Sequence, residues 1–185
     1  MKKNKVILFL LVTTLFLCSC GTTSTVPITG RKQHLLVSDE QVMSLSNEQY
    51  QSYMKTAKPS TNAANTAMVR RVGERLANAV ETYLRQHNLA SEVSNYKWEF
   101  NLVQDKQANA FCMPGGKIVV YEGLLPYTQN EASLAVVLGH EIAHAVAKHS
   151  AERMSQQMKA QYGAQALSLI LGGSSSATQE IAQQV

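Results

Sequence analysis

Two histidines four positions apart fix the expected conformation of one segment, His140-Glu141-Ile142-Ala143-His144. On an α-helix, residues at this spacing lie nearly above one another, so both imidazoles can bind one metal ion from the same face. Zinc accepts neutral imidazole nitrogens and activates water. The motif therefore predicts a zinc site with His140 and His144 as ligands and Glu141 as the general base.

The residues around this motif indicate a buried helix. Residues 131–147 are apolar almost all round, as expected for a helix in a protein core. Such a helix rarely carries three titratable groups unless something pairs with them, which argues against two incidental histidines. Thr128 and Glu131 match a capping box, and the sequence predicts one helix that begins after Thr128 and continues past Met158.

The N-terminus predicts export and a lipid anchor. Three lysines precede an apolar run of 12 residues, Val6–Leu17, which is too short to span a bilayer comfortably. The next residues, 17–21, resemble a bacterial lipobox, which implies cleavage after residue 19 and lipid attachment at Cys20. Gly21 then suggests the outer membrane by resemblance to enterobacterial sorting. An ordinary secretory signal with an unrelated cysteine remains the alternative.

The net charge of the chain limits the classes of molecule that it is expected to bind. Without the three lysines of residues 1–19, the chain has 14 basic and 13 acidic residues and a net charge of +1. This balance predicts no nucleic-acid partner.

Cys18 leaves with the signal and Cys20 takes the lipid, so Cys112 has no disulfide partner. We expect Cys112 to be a small buried apolar residue rather than a nucleophile.

The remaining chain is long enough for one domain of the α+β class. Residues 20–62 are expected to form a lipid-anchored tether and a short helix that begins with the capping box of Ser38 and Gln41. Residues 64–86 have the pattern of an amphipathic helix, and residues 96–102 alternate as a half-buried strand. Two apolar runs flanking Pro-Gly-Gly within residues 109–121 predict a hairpin before the motif helix.

A third zinc ligand is not evident in the sequence. On an unbroken helix His149 points away from both His140 and His144, so a surface or packing role is favoured, and a role beside the metal would require a bend. Ser150 occupies the position where metzincins have their third histidine. Glu152 lies about 12 Å along the helix axis from His144, which leaves Glu180 as the remaining distant carboxylate.

These motifs resemble metallopeptidase family 48, which includes the CAAX prenyl proteases and periplasmic lipoprotein metalloproteases. The resemblance rests on residues 109–118, on Gly123-Leu124-Leu125 and on residues 138–144, and it also includes His149. It implies a zincin-like α+β fold, mostly helical, with a small sheet and a hairpin beside the motif helix. It also implies that the strand beginning at Asn109, Ala110 and Phe111 binds extended substrates along its edge.

The family's third ligand is the glutamate of a Glu-x-x-Ala-Asp motif, which the residues after Glu180 do not match. The resemblance therefore implies a sequence truncated at its C-terminus, with a two-histidine site as the alternative. Residues 1–19 are assigned to the signal, 20–62 to the tether and short helix, and 63–185 to an incomplete peptidase domain.

The resulting hypothesis is an envelope protein with one zinc ion per chain. It is a metalloendopeptidase that is anchored by its lipid, faces the periplasm and cleaves envelope proteins in quality control. The alternative is a non-catalytic envelope lipoprotein that binds clients or partners through the same cleft. A Glu141→Gln substitution separates the two, because only a protease loses an activity that requires this carboxylate.

Overall fold

The computed structural model describes residues 21–27 and 29–170, with side chains through residue 165. The predicted signal, the predicted lipidation site Cys20 and Glu180 lie outside the described residues. The helices are α1 (Asp39–Thr56), α2 (Ala63–Gln86), α3 (Ala90–Val93), α4 (Leu125–Thr128), α5 (Glu131–Val146) and α6 (His149–Ile170). The strands are β1 (Thr22–Thr25), β2 (Lys32–Leu35), β3 (Glu99–Val103), β4 (Ala110–Met113) and β5 (Lys117–Tyr121). Within this described part, no helix is both long and apolar enough to cross a bilayer.

A three-stranded sheet lies beside the motif helix α5. Its order is β3-β5-β4, with β3 parallel and β4 antiparallel to the central strand β5. The connection from β4 to β5 contains Gly115 and Gly116, which adopt φ angles of 88° and 82°. Residues without a Cβ adopt such angles readily, which explains the sharp reversal. The predicted hairpin, the predicted helix of residues 64–86 and the zincin-like α+β class are confirmed.

The main core lies between α2, the sheet and α5. Leu134, Leu138 and Ile142 of the motif helix are essentially inaccessible to solvent. They belong to one cluster with Val69 of α2 and Ile118 of β5. The side of α5 opposite this buried face therefore carries the histidines, while the buried face holds the helix in position.

The N-cap of the motif helix lies two residues later in the sequence than predicted. Asn130 is the N-cap, and its side chain accepts a hydrogen bond from the Ser133 N–H at 2.9 Å. Thr128 instead ends α4, where its hydroxyl bonds the carbonyl of Leu125. The predicted capping box of Thr128 and Glu131 is thus wrong, because α4 uses Thr128 for a turn of its own.

The prediction of one unbroken helix past Met158 is also wrong. Helix α5 ends at Val146, and α6 begins at His149. Between them Lys148 has φ 55°, in the left-handed region that side chains other than glycine rarely adopt. The break changes the direction of the chain just after the second histidine, and this decides where His149 lies.

The segment before α1, which was expected to be a tether, contains two strands. Strands β1 and β2 pair in antiparallel fashion, from Thr22 opposite Leu35 to Thr25 opposite Lys32. Leu35 then packs with Ala151 of α6, and the Leu36 N–H donates to the Ser155 hydroxyl at 2.8 Å. The predicted helix after Ser38 is confirmed as α1, with both bonds of its capping box present.

A stability prediction follows from the close packing of α2 on β3. A Cβ added at Gly73 would overlap the Phe100 ring, whereas at Gly163 of α6 it would meet nothing within 4 Å. Replacing glycine by alanine in a helix stabilises it by up to about 1 kcal/mol when nothing opposes the methyl group. Overpacking costs about 1–3 kcal/mol. In urea unfolding we expect Gly73→Ala to destabilise the chain and Gly163→Ala to stabilise it, and equal effects would contradict this packing.

Candidate metal centre

The two motif histidines converge on one point. His140 and His144 lie on the exposed face of α5, and their Nε2 atoms are 3.0 Å apart. Two imidazole nitrogens that share a tetrahedral zinc at about 2.0–2.1 Å lie roughly 3.3 Å from each other. The observed separation is within a few tenths of an ångström of that value. The donor set and its spacing therefore fit a zinc ion held by both Nε2 atoms.

Glu141 follows His140 in α5, and its carboxylate lies near the edge strand β4. Its side chain is partly buried, and no hydrogen bond or ion pair joins its carboxylate to another side chain of the described residues. Burial, and secondarily the negative charge of Glu141, raise the pKa of the Cys112 thiol on β4 to about 12. The carboxylate is therefore close to β4 and free to accept a proton.

Cys112 has the environment of a packing residue. It is partly buried and lies against the main core cluster, with its Sγ 3.6 Å from the carbonyl of Met113. Because its raised pKa keeps it protonated at neutral pH, it is not activated as a nucleophile. This position agrees with the expected small apolar role.

The described residues supply two ligands and not three. Among residues 21–27 and 29–165, no cluster of three His, Cys, Asp or Glu side chains has a geometry suited to a metal ion. Glu152, on the first turn of α6, bonds both terminal nitrogens of Arg31 at 2.5 and 2.7 Å. That ion pair lowers the pKa of Glu152 and occupies both of its oxygens.

His149 is the residue whose place the sequence did not reveal. The break between α5 and α6 brings its Nδ1 to 2.6 Å from the Nδ1 of His144. Burial, followed by the neighbouring His144, lowers the pKa of His149. The favoured surface or packing role assumed an unbroken helix, and the break meets the condition under which a role beside the metal was considered. Neither Ala147 nor Lys148 is a residue that ends helices, so no local signal marked the break.

The strand predicted to bind substrate lies at an edge of the sheet. β4 is an outer strand, and no other strand within the described part of the chain pairs with its free side. The Tyr121 N–H donates to the Asn109 carbonyl, and hydrogen-bonded pairs alternate along an antiparallel ladder. The backbones of Asn109 and Phe111 therefore face β5, and those of Ala110 and Cys112 face the free edge.

The side chains of the three predicted substrate residues lie in different places. Asn109 is exposed, whereas Ala110 is buried in the main core cluster. The Phe111 ring packs edge-on against Tyr53 and Tyr121 in a second cluster. Of the three, Ala110 is the residue that offers backbone groups at the free edge.

An apolar groove of about 570 Å³ opens on the other side of the histidines. It is lined by residues of α2, of α5 and of the turn after β1. Its walls also include His140, His144 and His149. The apolar side chains along it include Val26, Pro27, Leu76, Val80, Tyr83, Ile142 and Val146. The two motif histidines thus line an apolar groove, while Glu141 between them in the sequence lies near the edge strand β4.

Comparison with known proteins connects this centre to peptidases. Residues 63–184 match the family model described as Peptidase family M48. The human metalloendopeptidase OMA1, mitochondrial, is 34% identical over 127 residues, which cover 69% of this chain and 24% of that protein. The OMA1 of Schizosaccharomyces pombe is 46% identical over 76 residues, 41% of this chain and 23% of that protein. The beta-barrel assembly-enhancing protease of Yersinia pestis is 44% identical over 62 residues, 34% of this chain and 13% of that protein. The matched segments span less than a quarter of these three relatives.

Proposed function

The chain belongs to peptidase family M48, and on that premise we propose that it is a zinc-dependent metalloendopeptidase. One observation carries the proposal: the Nε2 atoms of His140 and His144 converge to 3.0 Å, and no side chain among the described residues pairs with the carboxylate of Glu141 on the same helix. Two imidazoles that can hold a metal and one carboxylate that can act as a base are groups that metal-assisted peptide hydrolysis uses.

Each side chain of the centre has one role in this proposal. His140 and His144 would hold the zinc through their Nε2 atoms. The bound ion would supply Lewis-acid chemistry, that is, polarisation of the scissile carbonyl and activation of water. Glu141 takes a proton from the attacking water and later donates it to the leaving amine. Its nearness to Cys112 of the edge strand supports this role, because a substrate along that strand would then lie within reach of the carboxylate.

We propose that the substrate binds as an extended strand along β4. The outward backbone groups of Ala110 and Cys112 would pair with the main chain of the substrate. Asn109 lies at the start of this edge, and Phe111 supports it through its packing with Tyr53. Main-chain pairing selects unfolded segments rather than a particular sequence, which suits the cleavage of damaged proteins.

We propose that the protein lies in the bacterial envelope. A lipid at Cys20 would anchor it to the outer membrane, with the peptidase domain facing the periplasm. The support is the lipobox-like sequence of residues 17–21, together with the likeness to the bacterial beta-barrel assembly-enhancing proteases. The OMA1 relatives carry mitochondrial names, and thus the family occurs in more than one compartment. Envelope proteins are the proposed substrates, and quality control is the proposed role.

A second candidate function is supported by the two binding surfaces near the histidines. Only two histidine ligands lie among the described residues, while the strand edge and the groove are both present. A lipoprotein that binds clients through the same cleft without cleaving them would need only these surfaces. We retain it as the alternative, and the substitution of Glu141 separates the two functions.

Metal content tests the zinc site directly. We expect the full chain, purified in mild detergent and dialysed, to retain about one zinc ion, because two imidazoles from one helix face converge on it. His144→Ala should lose the metal, and His87→Ala, a histidine at the end of α2, should keep it. Elemental analysis gives the ratio. A folded wild-type chain without zinc would refute the metal site.

A further inference from the structure

We propose that His149 is a positioning residue for His144, which accepts the Nδ1–H of His144 and so directs its Nε2 towards the metal. The inference deepens the proposed function and rests on it, since it concerns how one proposed zinc ligand is held. The contact that carries it is the 2.6 Å distance between the two Nδ1 atoms.

The two contacts of His144 are chemically linked. A neutral imidazole carries one proton, so a His144 that donates from Nδ1 has a free lone pair on Nε2. That Nε2 is the atom 3.0 Å from the Nε2 of His140. Histidines that bind metals usually donate their other ring N–H to a neighbour, which fixes both tautomer and ring orientation. His149 is the neighbour in the right place to accept it.

The helix break is what makes this contact possible. On an unbroken helix, a residue five positions after His144 lies roughly 140° around the axis from it. The left-handed conformation at Lys148 ends α5. His149, the first residue of α6, therefore lies beside His144 instead of pointing away from it. A conformation with positive φ at a residue other than glycine persists only when its surroundings hold it.

Several long-range contacts hold the break. The Lys148 amine lies 2.6 Å from an Asp39 oxygen and 3.1 Å from a Glu92 oxygen. The Gln33 side-chain amide donates to the Ala147 carbonyl at 3.2 Å. Three separate segments, namely the β1–β2 hairpin, α1 and α3, therefore converge on two residues.

The first turn of α6 is fixed by a further contact. Arg31, just before β2, forms a bidentate ion pair with Glu152, three residues after His149. Arg31, Gln33 and Asp39 all precede the segment that matches the family model. The N-terminal segment thus contributes to the position of His149.

Zinc affinity tests the role of His149. We use the full chain in detergent with Zn²⁺ alone, in competition with a chromogenic chelator. Loss of such an orienting partner weakens metal binding about 10–100-fold, which we expect for His149→Ala. His149→Asn should keep most of the affinity, because an asparagine side-chain oxygen can lie where the imidazole Nδ1 lies. His87→Ala is the matched control and should bind zinc like the wild type.

The outcomes separate this inference from the proposed function. If the wild type binds zinc and His149→Ala binds it equally well, the positioning role is refuted and the metal site stands. If the folded wild type binds no zinc, both are refuted. Nitrogen NMR of the metal-free wild type gives an independent reading of the tautomer. We expect the His144 proton on Nδ1, and a proton on Nε2 would overturn the inference even if His149→Ala does not fold.

The direction in which Arg31→Ala changes the zinc affinity tests whether the contacts around the break position His149. If Arg31 acted only through its charge, its removal would strengthen the binding of a cation. Positioning through Glu152 predicts the opposite, a loss of zinc affinity smaller than that of His149→Ala. Arg85→Ala, which removes an equal charge from a surface pair with Glu81, is the control. An increased affinity for Arg31→Ala would exclude the contribution of this ion pair.

Discussion

Replacing Glu141 by glutamine is expected to remove peptide cleavage and to leave zinc bound. The amide has nearly the same shape as the carboxylate but cannot take the proton of the attacking water. General-base catalysis contributes about 10²–10⁴-fold to a rate, so the loss should have this size. Zinc should stay, because the proposed ligands are His140 and His144, whose Nε2 atoms converge without help from Glu141.

The measurement is casein cleavage, with zinc content determined on the same preparations. Glu48→Gln is the matched control, since Glu48 is an exposed residue of α1. It should cleave casein like the wild type. A Glu141→Gln protein that still cleaves would place the base on another residue. If the zinc-loaded wild type binds casein without cleaving it, the non-catalytic alternative is the better description.

The elements that could be predicted from the sequence are those set by local interactions. The capping box of Ser38 and Gln41 needs only residues three apart, and both of its bonds are present. The hairpin depends on glycines at the turn, and Gly115 and Gly116 both have positive φ. Helical geometry brings His140 and His144 to one face of α5, so a spacing of four was sufficient to predict that their rings are neighbours.

The parts that the sequence did not reveal depend on distant residues. Lys148 has no local reason to leave the helical conformation, and its partners Asp39 and Glu92 are far away along the chain. The β1–β2 hairpin likewise depends on its packing against α6, because an isolated two-stranded hairpin is barely stable in water. The position of His149 depends on the conformation of Lys148 and on the packing of the β1–β2 hairpin against α6. Its contact with His144 therefore could not be predicted from the sequence around it.

The largest expected effect on stability is that of Leu138→Ala. Leu138 is fully buried in the main cluster, on the side of α5 that faces away from the histidines. Truncating such a leucine costs about 2–5 kcal/mol, from lost burial and the cavity that remains. Val136, on the same helix, is 74% exposed. Val136→Ala should therefore change the free energy of unfolding by less than about 0.5 kcal/mol.

Urea unfolding of the metal-free chains gives both values, and equal effects would contradict the assigned orientation of α5. The comparison must be made without zinc, because a ligand bound only to the folded state adds stability of its own. At 100 times its dissociation constant that contribution is about 2.7 kcal/mol. We expect zinc to add the same amount to Leu138→Ala as to the wild type, since the ligands lie on the opposite face of the helix. A smaller increment in the variant would mean that the packing beneath α5 also sets the distance between His140 and His144.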